Sequence, residues 1–142
     1  MQSLENTMLI TDLDGTLLPA SKEISVADAA AISQFRAKGG KFAIATGRTL
    51  QAAQRYLKKL QPNIPVILFN GAAIYDPVAE KWLYTEELPP EAAAITRQVL
   101  EAFPDVSAEI LRTDGTYVSR MTPYEKAVSY THLRAHETLM NL

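Results

Sequence analysis

Apolar and polar positions follow distinct rhythms along this chain. Met8-Leu9-Ile10 is an unbroken apolar run that climbs into Asp12 and Asp14 and is stopped by Gly15. This is the pattern of a buried parallel strand that delivers its acids at the carboxyl end. A polar connection follows, and Ser25 with Asp28 three residues later is a helix start close to a capping box. Val26, Ala29, Ile32 and Phe35 then recur at helical spacing, predicting a helix over about 26–38 that Gly39-Gly40 ends. Lys41 to Ala45 is a second short strand, leading into Thr46-Gly47-Arg48. Leu50, Ala53, Leu57 and Leu60 mark a second helix, about 49–60, halted before Pro62. Val66 to Phe69 is a third strand, ending at Asn70-Gly71.

Strand, helix, strand, helix, strand with short links is a βαβαβ unit, and right-handed crossovers place its three parallel strands side by side. Their carboxyl ends carry Asp12 and Asp14, then Thr46 and Arg48, then Asn70. In open α/β sheets ligands bind along that edge. Strands about 4.8 Å apart let one tetrahedral anion touch residues from adjacent tips. From Ala73 the rhythm changes. Residues 73–84 read as a hairpin turning at Asp76-Pro77, and Pro89-Pro90 opens a third helix, about 91–103, with Ala92, Ile95, Val99 and Phe103 facing inward. Val106 to Leu111 and Thr116 to Ser119 flank an Asp114-Gly115 hairpin turn. The change from α/β to α+β order predicts a second module from residue 85.

Composition narrows the setting. The chain has 142 residues, 47% of them apolar and 21% charged, which is ordinary globular material. A net charge of −2, with no basic cluster larger than Lys58-Lys59, argues against nucleic acid or an anionic membrane as partner. The absence of cysteine excludes disulfides and thiolate metal sites. No segment has the length of a membrane span and the N-terminus lacks a signal pattern, so the expected location is cytoplasmic.

Two acids at i, i+2 on an apolar strand gain nothing from burial and repel each other, so they call for chemistry. An EF-hand loop counted from Asp12 would end at Glu23, but its sixth position is Leu17 where glycine is needed. A metal-binding Asp-x-Asp of a nucleotide-sugar transferase leaves Gly15-Thr16-Leu17 unexplained. The full string Asp12-Leu13-Asp14-Gly15-Thr16-Leu17 resembles the nucleophile motif of the haloacid dehalogenase-like (HAD) phosphotransferases. Ala45-Thr46-Gly47-Arg48 is similar to that family's second motif, and Phe69-Asn70-Gly71-Ala72 to a signature of its Cof-type, subclass IIB members.

This resemblance implies a Rossmann-like α/β core, incomplete here, over residues 1–84, followed by the start of a type-two α+β cap over 85–127. It implies a phosphomonoester hydrolase for small phosphorylated metabolites, sugar phosphates or cofactors, working through an aspartyl-phosphate. Asp12 would be the nucleophile and Asp14 the general acid and then base. Thr46 would donate a hydrogen bond to the phosphoryl group, helped by backbone N–H groups around Asp14, Gly15 and Thr16. Gly47, Arg48, Asn70 and Gly71 would line the phosphate and substrate position. Read alone, Thr46 is equally a helix cap and Arg48 a solvated first-turn side chain.

A phosphate dianion approaching a bare carboxylate faces about 4 kcal/mol per unit charge at 4 Å and an effective dielectric of about 20. Mg²⁺ on Asp12 and the main-chain carbonyl of Asp14 would offset this. Family members are about twice as long, and their later lysine and acidic loop are not found in this chain. Residues 128–142 continue no earlier pattern and read as a non-native read-through tail. His132 and His136, with Glu137 adjacent, do not match a zinc-protease order. Tyr117, Tyr124 and Trp82 read as cap packing. Alternatives are a catalytically silent fragment, or a phosphohexomutase-like or sucrose-phosphatase-like relative.

Overall fold

The computed structural model describes residues 3–120 together with 122 and 123. Tyr124, His132, His136, Glu137 and the whole of 128–142 therefore lie outside the described residues. Ser25 caps the first helix as its position suggests: its Oγ accepts the Asp28 N–H at 2.9 Å and donates to Asp28 Oδ2 at 2.7 Å. Helix α1 spans Val26–Ala37, after strand β1 at Met8–Thr11. Gly39 leaves the helix at φ 88°, and Gly40 is needed for space, since a β-carbon there would meet the Phe35 ring at 2.4 Å. Strand β2, Lys41–Ile44, and helix α2, Leu50–Leu60, follow, then strand β3, Val66–Leu68. Thr49 caps α2 by accepting the Ala52 N–H at 3.2 Å. Gln61 ends that helix in the left-handed region and donates to Leu57 O.

Strands β1 and β2 pair in parallel, Met8 opposite Lys41 through Thr11 opposite Ile44. Between β2 and β3 the pairing contracts to a parallel bridge from Ala45 to Ile67, reinforced by Thr46 N–H on Ile67 O at 3.0 Å. The expected α/β, Rossmann-like order is thus present, with β2 in the middle. Beyond a left-handed turn at Phe69–Gly71, β3 continues into an antiparallel hairpin of β4, Ala73–Asp76, and β5, Lys81–Thr85. Asp76 Oδ1 closes the hairpin by accepting the Val78 and Ala79 N–H groups. The core gathers where β2 and β3 meet the helices: Phe42, Ile44, Val66 and Leu68 are fully enclosed, against Ile32 of α1 and Ala53, Tyr56 and Leu60 of α2.

The described residues fall into two units that part between Glu86 and Glu87. The second holds helix α3, Glu91–Ala102, and a hairpin of β6, Glu109–Leu111, and β7, Thr116–Val118. Arg112 and Gly115 exchange backbone hydrogen bonds across its turn. Arg120 donates to the carbonyls of Leu100, Pro104 and Val106, satisfying one group in the last turn of α3 and two in the segment that follows it.

One expectation holds only for a complete sheet, and three need correction. Met8, Leu9 and Ile10, a run that reads as a buried strand, are 56, 41 and 48% exposed, as an incomplete core leaves them, because β1 has a strand neighbour on one side only among the described residues. Val26, assigned to the apolar stripe of the first helix, is 85% exposed in the opening turn. Ile95, Val99 and Phe103 of α3 are exposed rather than inward, since a two-stranded hairpin offers too little apolar surface to bury them. Trp82 is not cap packing, because it stacks with Phe69 and Tyr75 inside the first unit.

An apolar strand with an unpaired edge is a template for association. We expect the chain to self-associate at micromolar concentration and Leu9→Lys to reduce that association in sedimentation velocity. A parent chain that stays monomeric and unfolds in one cooperative thermal transition would contradict this.

Candidate active site

The site is built on the loop after β1. Leu13 and Leu18 are both fully buried, and Leu13 O accepts the Leu18 N–H at 2.7 Å, so the loop is pinned at both ends. With Leu13 drawn into the core, Asp12 and Asp14 on either side of it project outward together. Gly15 turns between them and Leu18 at φ 77°, with open space where a β-carbon would sit, so glycine serves conformation here rather than room.

Asp12 folds one carboxylate oxygen onto its neighbour's backbone, Oδ1 accepting the Leu13 N–H at 2.7 Å. Asp14 is held differently. Arg48 grips it with a fork, Nε to Oδ2 at 2.7 Å and Nη2 to Oδ1 at 2.9 Å, while Lys22 Nζ reaches Oδ1 at 2.7 Å. Arg48 is not a solvated helix-start side chain: only 13% of it is exposed, its guanidinium lies 5.1 Å from the centre of the Tyr56 ring, and Nη1 donates to Ala52 O at 3.4 Å. The Arg48 hydrogen bonds hold the Asp14 carboxyl well below the usual carboxylate range, against the opposing effect of burial and with help from Lys22. Arg48 is pushed up reciprocally, first by the same hydrogen bonds.

Thr46 is buried. It does not cap α2, a role that Thr49 fills. Its Oγ accepts the Arg48 N–H at 3.3 Å, and its carbonyl accepts the Asn70 N–H at 3.2 Å. Phe69 N–H in turn donates to Arg48 O at 3.2 Å, so the loops after β2 and β3 are stitched together by main chain. Phe69, Asn70 and Gly71 all have positive φ, at 54°, 56° and 100°. For Phe69 that costs about 1–2 kcal/mol, which the stitching and the contact with Trp82 offset. Gly47 lets its neighbour come close: a β-carbon on it would meet Asn70 Oδ1 at 2.6 Å and force that side chain to move.

Asp12, Asp14, Thr46, Gly47, Arg48, Asn70 and Gly71 line one cleft of about 590 Å³, the size of a small-molecule site. Gly15 and Thr16 instead line an adjoining depression with Lys22, Ser25 and Asp28. The Gly15 N–H is engaged by Leu18 O at 3.1 Å and that of Thr16 by Leu13 O at 3.4 Å, so both point into their own loop. The sequence reading missed Lys22 and Tyr56. A lone lysine in a polar connection carries no signal. Tyr56, however, completes the spacing Ala53, Tyr56, Leu57, Leu60 and was legible as a core position.

The two groups that the resemblance assigns to a cation, the Asp12 carboxylate and the Asp14 carbonyl, are oxygen donors, which suits a hard ion that keeps several waters. No group of three or more acidic, histidine or cysteine side chains is assembled among the described residues. The chemistry of the set therefore fits Mg²⁺ as a partial shell.

Because the folded-state pKa of Asp14 is depressed, its contribution to stability is fully present above the unfolded carboxylate value, about 3.9, and is lost as pH falls through the folded value. With 38% of the side chain exposed, screening keeps the effect small. In metal-free buffer, the fall in urea midpoint from about pH 6 to about pH 3 should be smaller in Asp14→Asn than in the parent, and the difference should shrink with added salt.

Comparison with known proteins bears on the family and the fold. Residues 9–141 match the family model described as haloacid dehalogenase-like hydrolase. The chain is 29% identical over 107 residues to the 5-amino-6-(5-phospho-D-ribitylamino)uracil phosphatase YitU of Bacillus subtilis, covering 73% of this chain and 40% of that protein. A haloacid dehalogenase-like hydrolase from Bacteroides thetaiotaomicron superposes with a TM-score of 0.82 at 19% identity, over 95% of this chain and 52% of that one. A subclass IIB sugar phosphatase superposes with a TM-score of 0.73 at 24% identity, over 93% and 51%. The chain thus spans 40% of YitU and about half of each solved structure. No helix among the described residues is long and apolar enough to cross a membrane. From the matched residues and the shared fold, the chain belongs to the haloacid dehalogenase-like hydrolase family.

Proposed function

We propose that this chain carries the nucleophile-bearing part of a Mg²⁺-dependent phosphomonoesterase for small phosphorylated metabolites. The observation that carries the reading is the convergence of Asp12, Thr46 and Asn70, from three successive strand tips, on one cleft with the Arg48 and Asp14 pair beside them. YitU and the subclass IIB sugar phosphatase, named for a ribitylamino phosphate and for sugars, support a small phosphorylated substrate.

The Asp12 carboxylate attacks phosphorus, forming an aspartyl-phosphate as the bond to the ester oxygen breaks. That oxygen departs as an alcohol with a proton from Asp14. Water then gives a proton back to Asp14, attacks the same phosphorus and releases inorganic phosphate and the free Asp12 carboxylate. Gripped as it is by Arg48 and Lys22, Asp14 rests ionised, which suits the second step. For the first, the incoming phosphoryl oxygens draw Arg48 to themselves, which removes the larger of the two pulls keeping Asp14 ionised and lets it take up a proton more readily. Thr46 presents its hydroxyl hydrogen to the transferring group. When bound by Asp12 and the Asp14 carbonyl, Mg²⁺ would supply positive charge against the phosphate dianion.

A second reading, a catalytically silent fragment, is favoured by the lack of three gathered metal-ligating side chains among the described residues and by the tight hold on Asp14. Turnover of p-nitrophenyl phosphate with Mg²⁺ separates the two. On the first reading Asp12→Asn abolishes turnover, Asp14→Asn lowers it on the order of 10²–10⁴-fold, and EDTA abolishes the activity of the parent until Mg²⁺ is restored. Equal rates in the parent and Asp12→Asn support the silent fragment.

A further inference from the structure

Lys22 reaches Asp14 from an unfavourable backbone. It closes a turn with Pro19, its N–H donating to Pro19 O at 2.8 Å, and it sits at φ 57°, a conformation that side chains with a β-carbon adopt only at a cost. What holds it there is helix α2. The Tyr56 hydroxyl donates to Lys22 O at 3.1 Å, and Arg55 Nη2 adds a bond to the same carbonyl at 3.4 Å. Tyr56 is 2% exposed, so its hydroxyl needs a partner, whereas phenylalanine would fill the same space without one. The ring of Tyr56 also carries the Arg48 guanidinium at 5.1 Å and that of Arg55 at 4.5 Å. One buried side chain therefore supports both cations that meet at Asp14, one through its ring and the other through its hydroxyl.

We propose that Tyr56 is a positioning residue for the Asp14 carboxylate, acting through the backbone of Lys22 and the guanidinium of Arg48. The role in turnover rests on Asp14 being the proton-handling group of the phosphatase reading; the placement itself does not. Tyr56→Phe keeps the ring under Arg48 and removes the shorter of the two bonds to Lys22 O, leaving only the 3.4 Å bond from Arg55. The Lys22 turn then relaxes and its ammonium leaves Asp14, while the Arg48 fork stays.

The test is ¹⁵N NMR of the full chain, reading the Lys22 ammonium and the Arg48 Nε–H, together with p-nitrophenyl phosphate kinetics. The parent should show a Lys22 ammonium resonance protected from hydrogen exchange. Its absence overturns the proposal whatever the variants do. In Tyr56→Phe that resonance should vanish while the Arg48 Nε–H signal persists. A retained ammonium signal overturns the proposal. Where the parent turns over substrate, Tyr56→Phe should lower kcat about tenfold with KM little changed, and Lys22→Met should do the same. The double variant should be no worse than either alone, because both remove one arrangement. Additive losses, or an unchanged kcat beside a lost resonance, overturn the link to catalysis. A parent without turnover counts against the phosphatase reading instead, and the ammonium signal still decides the placement.

Discussion

The forked pair between Arg48 and Asp14 is the interaction on which the cleft depends. It spans 34 residues of sequence and joins the loop after β1 to the loop after β2, which no strand ladder connects directly. A fork fixes the plane and distance of both partners, as a lysine alone would not. Its guanidinium is seated on Tyr56 and its backbone carbonyl receives Phe69, so the same residue also ties in the loop after β3. Strand ends already joined by the β1–β2 pairing and the Ala45–Ile67 bridge are thus tied again, at their loops, by a single arginine.

That surface was legible where periodicity and stop signals coincide. Ser25 before Asp28, and the spacing of Leu50, Ala53, Leu57 and Leu60, locate the two helices of the first unit, and the parallel order follows from the short links between them. The identity of the residues at the strand tips follows in turn. Other features depend on contacts distant in sequence. Met8, Leu9 and Ile10 have the composition of a buried strand, but burial requires neighbours on both sides, and composition does not count neighbours. The exposed face of α3 has the same cause, since amphipathic spacing says that a face is apolar and not what lies against it. Lys22 is unreadable because its position depends on a left-handed turn held by a tyrosine 34 residues later.

The two units differ in how they are held. In the first, fully enclosed side chains of β2 and β3 meet two helices, and hydrogen bonds from side chains are concentrated in the loops. In the second, buried apolar side chains are scarce among the described residues, Val118 being one, and a single arginine gathers the carbonyls at the end of α3. The first unit is organised by hydrocarbon and the second leans on polar bonds, which contribute less net stability each.

The approach of Asn70 to Gly47 has a consequence for how this family of sequences can vary. The wall of the cleft at that point is shaped by a missing methyl group, and the amide of Asn70 occupies the vacancy. A larger residue at 47 would have to push the Asn70 side chain aside, so the two positions are coupled through the shape of that wall. Such a shift would move an amide that lines the cleft and alter which molecules the cleft accepts, with both aspartates untouched.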